Sequence, residues 1–208
     1  MTKTSASSAF LALNDFAKKN SHATLLLHTA AGDYAAARCL LHNGLLTGLV
    51  LGAQAIEKFL KAFLLLHDPA CNVKGVRHSL TKLLQEADAL SPRLKLAGFA
   101  PLVEKFWKHY NTRYPDNANA STSMTSADLV ELDAFVVFLN ENLPCARNVL
   151  YRTGLYAEIT FSLGYKSTVT PTEFWIKNGN QTLTPLLPRI EADHAIVIAE
   201  LYPSAPAA

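Results

Sequence analysis

Four strongly polar side chains interrupt the longest apolar run of the sequence, residues 44–67. They are Gln54, Glu57, Lys58 and Lys61, and their spacing places them on one face of a helix within about two turns. Two lysines on one face suit a phosphate group, although Glu57 offsets part of their charge. The alternative is a solvated face with a Glu57–Lys61 pair, which stabilises a helix by about 0.2–0.5 kcal/mol.

A second polar group follows in residues 110–116. Arg113 has the charge and planar shape to hold a phosphate, while Tyr110 and Tyr114 have rings on which a base can stack. Asp116 either orients Arg113 through a charged hydrogen bond or turns the loop. The alternative is an arginine placed favourably at a helix C-terminus, with tyrosines packed on the end of the helix bundle.

His78 lies next to Arg77 at a predicted helix start. A histidine there can carry a proton near neutral pH, or it can be a structural residue bonded to the backbone of the helix start. We assign no catalytic residue. The predicted ligand-binding residues are Arg113, Tyr114, Tyr110, His78, Lys58, Lys61, Glu57 and Asp116.

Metal and thiol chemistry are not predicted. Cys39 and His42 lie one helical turn apart and supply two potential zinc ligands, but Cys71 and Cys145 provide no matching pair. No glycine-rich phosphate loop is present in the sequence. We therefore expect no metal and no cofactor, and the three scattered cysteines indicate a reduced, cytoplasmic protein.

The composition favours a folded protein with a sizeable core. Half of the 208 residues are hydrophobic, 17% are charged, and the formal net charge is +2. This charge indicates no global field for nucleic acid, although a local basic patch is compatible with it. Residues 44–67 are long enough to cross a bilayer, but three charged side chains within them predict a buried helix and no membrane partner.

Hydrophobic periodicity predicts a mainly α protein, with an up-and-down bundle of four to five helices. The predicted helices cover residues 24–42 with a kink or split at Gly32-Asp33, residues 44–67, residues 78–90, residues 99–110, and a fifth helix that Thr125 or Ser126 caps. Pro144 is expected to kink that fifth helix before it resumes toward residue 156.

The composition changes after about residue 157, where β-branched and aromatic residues favour short β-strands. Asn178-Gly179 is typical of a hairpin turn, and residues 195–199 are a further strand candidate. The predicted organisation is a loose leader over residues 1–23 with a short docked helix, a helical bundle over 24–156, a β-containing extension over 157–202 and a disordered tail over 203–208.

Several segments in this order resemble the HEPN domain family. They are Tyr34, the segment AQAIEKFLKA at residues 53–62, His-Ser-Leu at residues 78–80, and Arg-Tyr-Pro-Asp at residues 113–116. The resemblance covers roughly residues 24–156. It implies a helical bundle that is often a homodimer, and an association with nucleotides, RNA or toxin–antitoxin and stress systems. It also implies a separate nucleotidyltransferase chain as a partner.

Some members of that family are metal-independent ribonucleases, with an arginine and a histidine separated by four to six residues on one helix. In this sequence Arg38 and His42 are separated by three residues, and Arg113 has no histidine in range. Arg189 and His194 fit the spacing, but they lie outside the predicted bundle, and one such match is expected by chance.

Three functions follow from these patterns. The first is a non-catalytic module that binds nucleotide or RNA. The second is an interaction protein in which the bundle dimerises and the extension docks on the bundle or on a partner. The third is a divergent metal-independent ribonuclease whose histidine comes from elsewhere in space. Whether the chain is an enzyme stays open, and the non-catalytic module is favoured.

Overall fold

The computed structural model describes residues 8–73, 75, 78–112, 123, 125–165 and 168–202. Over these residues the chain is mainly helical, as predicted. The described α-helices are α1 (Ser8–Lys19), α2 (Ser21–His42), α3 (Thr47–His67), α4 (Leu80–Leu90), α5 (Ala100–Thr112), α6 (Ser126–Glu141), α7 (Arg147–Leu150), α8 (Gly154–Ile159), α9 (Phe161–Tyr165), α10 (Pro171–Lys177) and α11 (Leu187–Leu201). Short 3₁₀ turns cover Pro92–Leu94, Leu96–Phe99 and Thr184–Leu186.

Helix α3 is the centre of the bundle and packs against α2, α4, α5 and α6. Many of its apolar residues are fully buried, including Ile56, Phe59 and Phe63. Burial of each such side chain contributes about 1.5–3 kcal/mol, so this helix supplies much of the core energy. Gly52 permits the close approach of α5, because a Cβ at this position would lie 2.3 Å from Cε1 of Phe106.

The limits of the first helices follow local signals. Helix α2 runs without interruption through Gly32-Asp33, so the predicted split is not observed, and its long contact with α3 stabilises it. Gly44 follows α2 with a φ of 71°, as a chain-turning glycine after a helix does. Asp68, before Pro69, has an extended backbone and ends α3.

Helix α6 begins with the predicted cap. The backbone N–H of Thr125 donates to the Asp128 carboxylate, which completes a capping box. The fifth predicted helix, however, ends at Glu141. The chain bends at Pro144 and continues in the separate helices α7 and α8 rather than in one kinked helix.

The predicted C-terminal strands are not present, and helices occupy the described part of that region. In α10, the Thr170 side chain accepts a hydrogen bond from the Glu173 backbone N–H at 3.1 Å, and Pro171 occupies the first turn. These are helix-start signals that outweigh the strand preference of the aromatic residues after them. Asn178 and Gly179 end this helix instead of forming a hairpin, and Gly179 has the φ of 65° that suits a helix terminus.

The apolar segment at residues 195–199 is also helical and lies within α11. Ile190, His194, Val197 and Leu201 are buried along one face, at intervals of three and four residues. In the sequence, the continuous apolar run at residues 195–199 obscures this helical spacing, so a strand was predicted there. Helix α1 packs against α2, α7 and α11, so residues 8–19 form a docked helix like the one suggested for the leader.

No described helix is long and apolar enough to cross a membrane. The proposed boundary between a bundle at residues 24–156 and an extension at residues 157–202 stays a prediction. Contacts cross it, because α2 packs against both α8 and α10.

Candidate functional site

The Glu57 side chain is the centre of a polar group on the α3 surface. Its Oε1 accepts a hydrogen bond from Lys61 Nζ at 2.7 Å, which confirms the predicted pair, and lies 3.0 Å from His78 Nδ1. Because a carboxylate only accepts hydrogen bonds, His78 Nδ1 carries the proton in this contact. Glu57 is 8% exposed, and it therefore holds the ammonium and imidazole groups from a largely buried position.

His78 reaches this carboxylate because the next residue starts helix α4. The Ser79 hydroxyl accepts from the Lys82 backbone N–H at 3.4 Å, and α4 begins at Leu80, two residues later than the sequence suggested. The cap places His78 just outside the helix, so its ring faces Glu57 on α3 and not the backbone of its own helix. The His78 side chain remains 62% exposed.

Aromatic rings continue this surface onto α5. The His78 and Tyr110 rings are stacked with centroids 6.5 Å apart, and the Trp107 and Tyr110 rings are stacked with centroids 5.8 Å apart. Tyr110 is 7% exposed, so it supports the histidine ring from below while His78 presents its ring to solvent. We refer to Glu57, Lys61, His78 and Tyr110 as the Glu57 cluster.

The predicted polar side chains of α3 contact two different parts of the structure, His78 before α4 and Asp33 on α2. Lys58 does not join the Glu57 cluster, because its ammonium group pairs with the Asp33 carboxylate of α2. Gln54 is half-buried. The face is therefore not simply solvated, since three of its four side chains make contacts with charged groups. The role of Asp33 as the partner of Lys58 had no sequence signal.

Arg113, Tyr114 and Asp116 lie outside the described residues, so their predicted role stays a prediction. The structure thus brings together four of the eight predicted ligand-binding residues, namely those of the Glu57 cluster. A fifth, Lys58, lies one residue along the same helix but is paired with α2.

A fully buried polar group on α2 was not predicted. Arg38 is 0% exposed and forms an ion pair with Asp133 of α6, which is 2% exposed. The Tyr34 hydroxyl donates to Asp133 at 2.6 Å and accepts from the Asn180 side chain at 2.9 Å. We refer to Arg38, Asp133, Tyr34 and Asn180 as the Arg38 network.

Arg38 also links α2 to α10. Its Nε donates to the Trp175 carbonyl at 2.7 Å and its Nη2 donates to the Asn178 carbonyl at 2.6 Å. Burial raises the pKa of Asp133, and the neighbouring Arg38 and Tyr34 groups partly lower it again. The Arg38 donors are directed at one carboxylate and two carbonyls at the end of α10, so Arg38 holds α10 against α2. Its guanidinium is not accessible to a substrate.

Arg189, the arginine that fits the ribonuclease spacing to a histidine, is also paired. Arg189 Nη2 donates to Glu141 Oε2 at 2.6 Å, whereas His194 lies further along α11 and is 7% exposed. His42, next to Arg38, approaches it at 3.4 Å and has its ring centroid 6.1 Å from that of Trp175. Neither arginine–histidine pair therefore presents an open guanidinium beside an open imidazole.

The described residues contain no group of three or more histidine, cysteine or acidic side chains that could hold a metal ion. All three cysteines are free thiols. Burial raises the pKa of Cys145 to about 11, and burial also raises the pKa of Cys71. A raised pKa keeps these two thiols protonated at neutral pH, in which form they are poor nucleophiles.

No family model matches the chain, and comparison with curated proteins and with solved structures finds no match either. The resemblance to HEPN domains therefore stays a prediction from the residues that carry it.

Proposed function

We propose that this chain is a non-catalytic, HEPN-like helical module that binds nucleotide or RNA at the Glu57 cluster. The observation that supports the proposal is the convergence of Lys61, His78 and Tyr110 around one carboxylate, from three different helices or helix starts. Lys61 and the Glu57 carboxylate both come from α3, which the core holds in place.

The chemistry of the cluster suits a nucleotide better than a generic anion. The exposed His78 ring, backed by Tyr110, offers a face for base stacking, which contributes about 1–3 kcal/mol per base. Lys61 supplies a positive charge for phosphate, and the Glu57 oxygens can accept hydrogen bonds from base amino groups or ribose hydroxyls. Since Glu57 offsets one positive charge, binding is expected to be modest and dependent on salt.

The buried Arg38 and the paired Arg189 favour binding over catalysis. A metal-independent ribonuclease needs a guanidinium that reaches the phosphate and a histidine that moves protons. Arg38 is buried and Arg189 is paired with Glu141, so neither supplies that combination. RNA cleavage by the folded protein in the presence of a chelator would contradict this part of the proposal.

The test is fluorescence anisotropy with a labelled single-stranded oligoribonucleotide and with a labelled adenine nucleotide, at two salt concentrations. His78→Ala is expected to weaken binding by about fivefold or more, because it removes the stacking face. His78→Phe keeps that face and is expected to retain most of the affinity. Lys18→Ala removes an exposed positive charge on α1 and is the control. Equal affinity of His78→Ala and the unmodified protein would refute the site.

A second pair of variants distinguishes the effect of the cluster on RNA binding from the effect of the total charge of the chain. Glu57→Gln removes the negative charge that offsets Lys61, so RNA binding is expected to tighten at low salt and to depend more steeply on salt. Glu104→Gln makes the same charge change at an exposed position of α5, where Glu104 pairs only with Lys108 at 3.1 Å. An equal effect of both variants would show that net charge alone controls binding.

Self-association is the second candidate function, and exposed apolar side chains near α10 favour it. Val169 is 55% exposed and Phe174 is 48% exposed, and a second copy of the chain docked at α10 would cover both. Light scattering is expected to show a homodimer, and a monomer at high concentration would contradict this function. A separate nucleotidyltransferase chain remains a proposed partner, by resemblance only.

A further inference from the structure

A cavity of about 190 Å³ lies away from the Glu57 cluster, between helices of the N-terminal and C-terminal parts of the chain. His28 of α2 forms one wall, and Tyr151 and Arg152, in the turn before α8, form another. Glu158 of α8 and His194 of α11 complete the polar lining. Residues from four separate parts of the chain thus direct polar groups into one concave space.

Two lining hydroxyls are already used within the protein. Tyr151 donates to Asp193 at 3.0 Å, and Thr160 donates to the Tyr156 carbonyl at 2.8 Å. Their positions are therefore fixed, and the groups left to meet a ligand are the charged and titratable ones. These are Arg152, the two histidines and Glu158.

Arg152 is the main cation of the cavity. It makes no ion pair with any carboxylate of the described residues, whereas the other described arginine on this side, Arg189, is paired with Glu141. Burial and the Arg152 charge lower the pKa of His194, which keeps that imidazole neutral near pH 7. A half-buried guanidinium without a counterion, beside a neutral imidazole, is suited to an oxyanion.

The opposite wall explains which oxyanion fits. His28 Nδ1 lies 3.2 Å from Glu158 Oε1, and burial raises the pKa of Glu158. A carboxylate ligand would meet the Glu158 oxygens with acceptors only. A phosphate monoester near neutral pH can retain one P–OH, because its second pKa is about 6, and that hydroxyl can donate to Glu158. The remaining oxygens can accept from Arg152 and the histidines.

The geometry points to a binding site in this cavity for the phosphate group of a small phosphate monoester, with Arg152 as its anchor and Glu158 as the acceptor of its P–OH hydrogen. This site is independent of the Glu57 cluster and of RNA binding there. The volume suits the phosphate and a short attached group, not a polymer.

Affinity for phosphate is expected to rise as the pH falls from 8 to 6. Protonation of the ligand and of Glu158 each removes repulsion or adds a donor. Burial raises the pKa of Glu158, and of its charged neighbours His28 lowers that pKa while Glu173 of α10 raises it; burial and the Arg152 charge lower the pKa of His194. Glu158→Gln is expected to flatten this pH dependence, because the amide does not titrate.

The experiment is an NMR titration of the full chain with inorganic phosphate at constant ionic strength, following the imidazole protons of the histidines. Saturable shifts of His28 and His194 are expected, with about tenfold weaker binding in Arg152→Gln, since a charge-assisted hydrogen bond contributes about 1.5–3 kcal/mol. Arg93→Gln, at an exposed arginine of a 3₁₀ turn, is the matched control and is expected to bind like the unmodified protein.

Different results of the titration test the existence of the site and the class of its ligand. Absence of saturable shifts, or equal affinity of Arg152→Gln and Arg93→Gln, would overturn the site. Acetate that binds as tightly as phosphate would overturn the assignment of phosphate as the ligand class. Phosphate binding in the cavity is followed at His28 and His194, whereas RNA binding is tested at His78, so failure of the RNA-binding proposal and failure of this one are distinguishable.

Discussion

The Arg38 network predicts a large loss of stability when its carboxylate is removed. In Asp133→Ala, the fully buried Arg38 loses its counterion, and the Tyr34 hydroxyl loses its acceptor. Breaking one side of a buried ion pair costs about 3–5 kcal/mol, because an uncompensated charge stays in the interior. For a chain of this size, that corresponds to a decrease in melting temperature of about 6–20 °C.

The assay is urea unfolding followed by circular dichroism, with Glu131→Ala as the control. Glu131 is on the same helix, α6, two residues before Asp133, and is exposed, so its removal is expected to cost less than about 0.5 kcal/mol. The double variant Arg38→Met/Asp133→Leu removes both charges and is expected to be more stable than Asp133→Ala alone. This rescue isolates the unpaired charge as the cause.

Two results would refute this reasoning. If Asp133→Ala costs no more than Glu131→Ala, the ion pair is not buried as described. If the double variant is no more stable than Asp133→Ala, the loss comes from packing and not from charge. Hydrogen exchange of residues 171–180 gives a further check, because Arg38→Met alone is expected to loosen the two α10 carbonyls that the guanidinium holds.

Three further substitutions, each measured by urea unfolding, test a helix contact, a helix cap and the pH dependence of stability. Gly52→Ala is expected to cost about 1–3 kcal/mol through its clash with Phe106, and a neutral result would contradict the close helix contact. Thr170→Ala is expected to cost about 1 kcal/mol by removing the α10 cap, whereas Thr170→Ser should retain most of it. Burial and Arg152 lower the pKa of His194, so the stability that depends on its neutral form is present above about pH 6.5 and is lost as the pH falls toward the folded-state pKa. His194→Gln is expected to make the decline of the unfolding free energy with falling pH shallower. An unchanged pH dependence would contradict this expectation.

The sequence predicted the parts of the fold that depend on local signals. The helical period of residues 44–67, the proline after Asp68 and the capping box at Thr125 each act within a few residues, and each is observed. The same reasoning failed for α10 and α11, where β-branched and aromatic residues suggested strands. A cap at Thr170 and a buried face of four residues along α11 outweigh that weak preference.

The candidate site was predictable only in part, for the same reason. Glu57 and Lys61 are neighbours along one helix, so their pairing follows from spacing. His78 reaches Glu57 across 21 residues and Lys58 reaches Asp33 across 25 residues, and these partners depend on how the helices pack. Arg38 and Asp133 are still further apart in the sequence, and a single sequence carries no pattern that links them.

The Arg38 network also affects the shape of the phosphate cavity through a series of contacts. Arg38 fixes the C-terminal carbonyls of α10, and α10 carries Glu173, which is 0% exposed. The Glu173 carboxylate accepts from the Ser162 backbone N–H at 3.1 Å and from the Ser162 hydroxyl at 2.8 Å. Ser162 lies in the first turn of α9, the helix that contributes a wall of the cavity through Gly164.

This connection distinguishes a positioning role for Arg38 from a direct one. Arg38 does not line the cavity, yet its loss would release α10 and with it the Glu173–Ser162 contact that holds α9. Arg38 variants are therefore expected to weaken phosphate binding only to the extent that they loosen α9, whereas Arg152 variants act on the ligand itself. Arg38 thus stabilises the fold, and Arg152, the arginine proposed to bind the ligand, is one that no sequence motif marked.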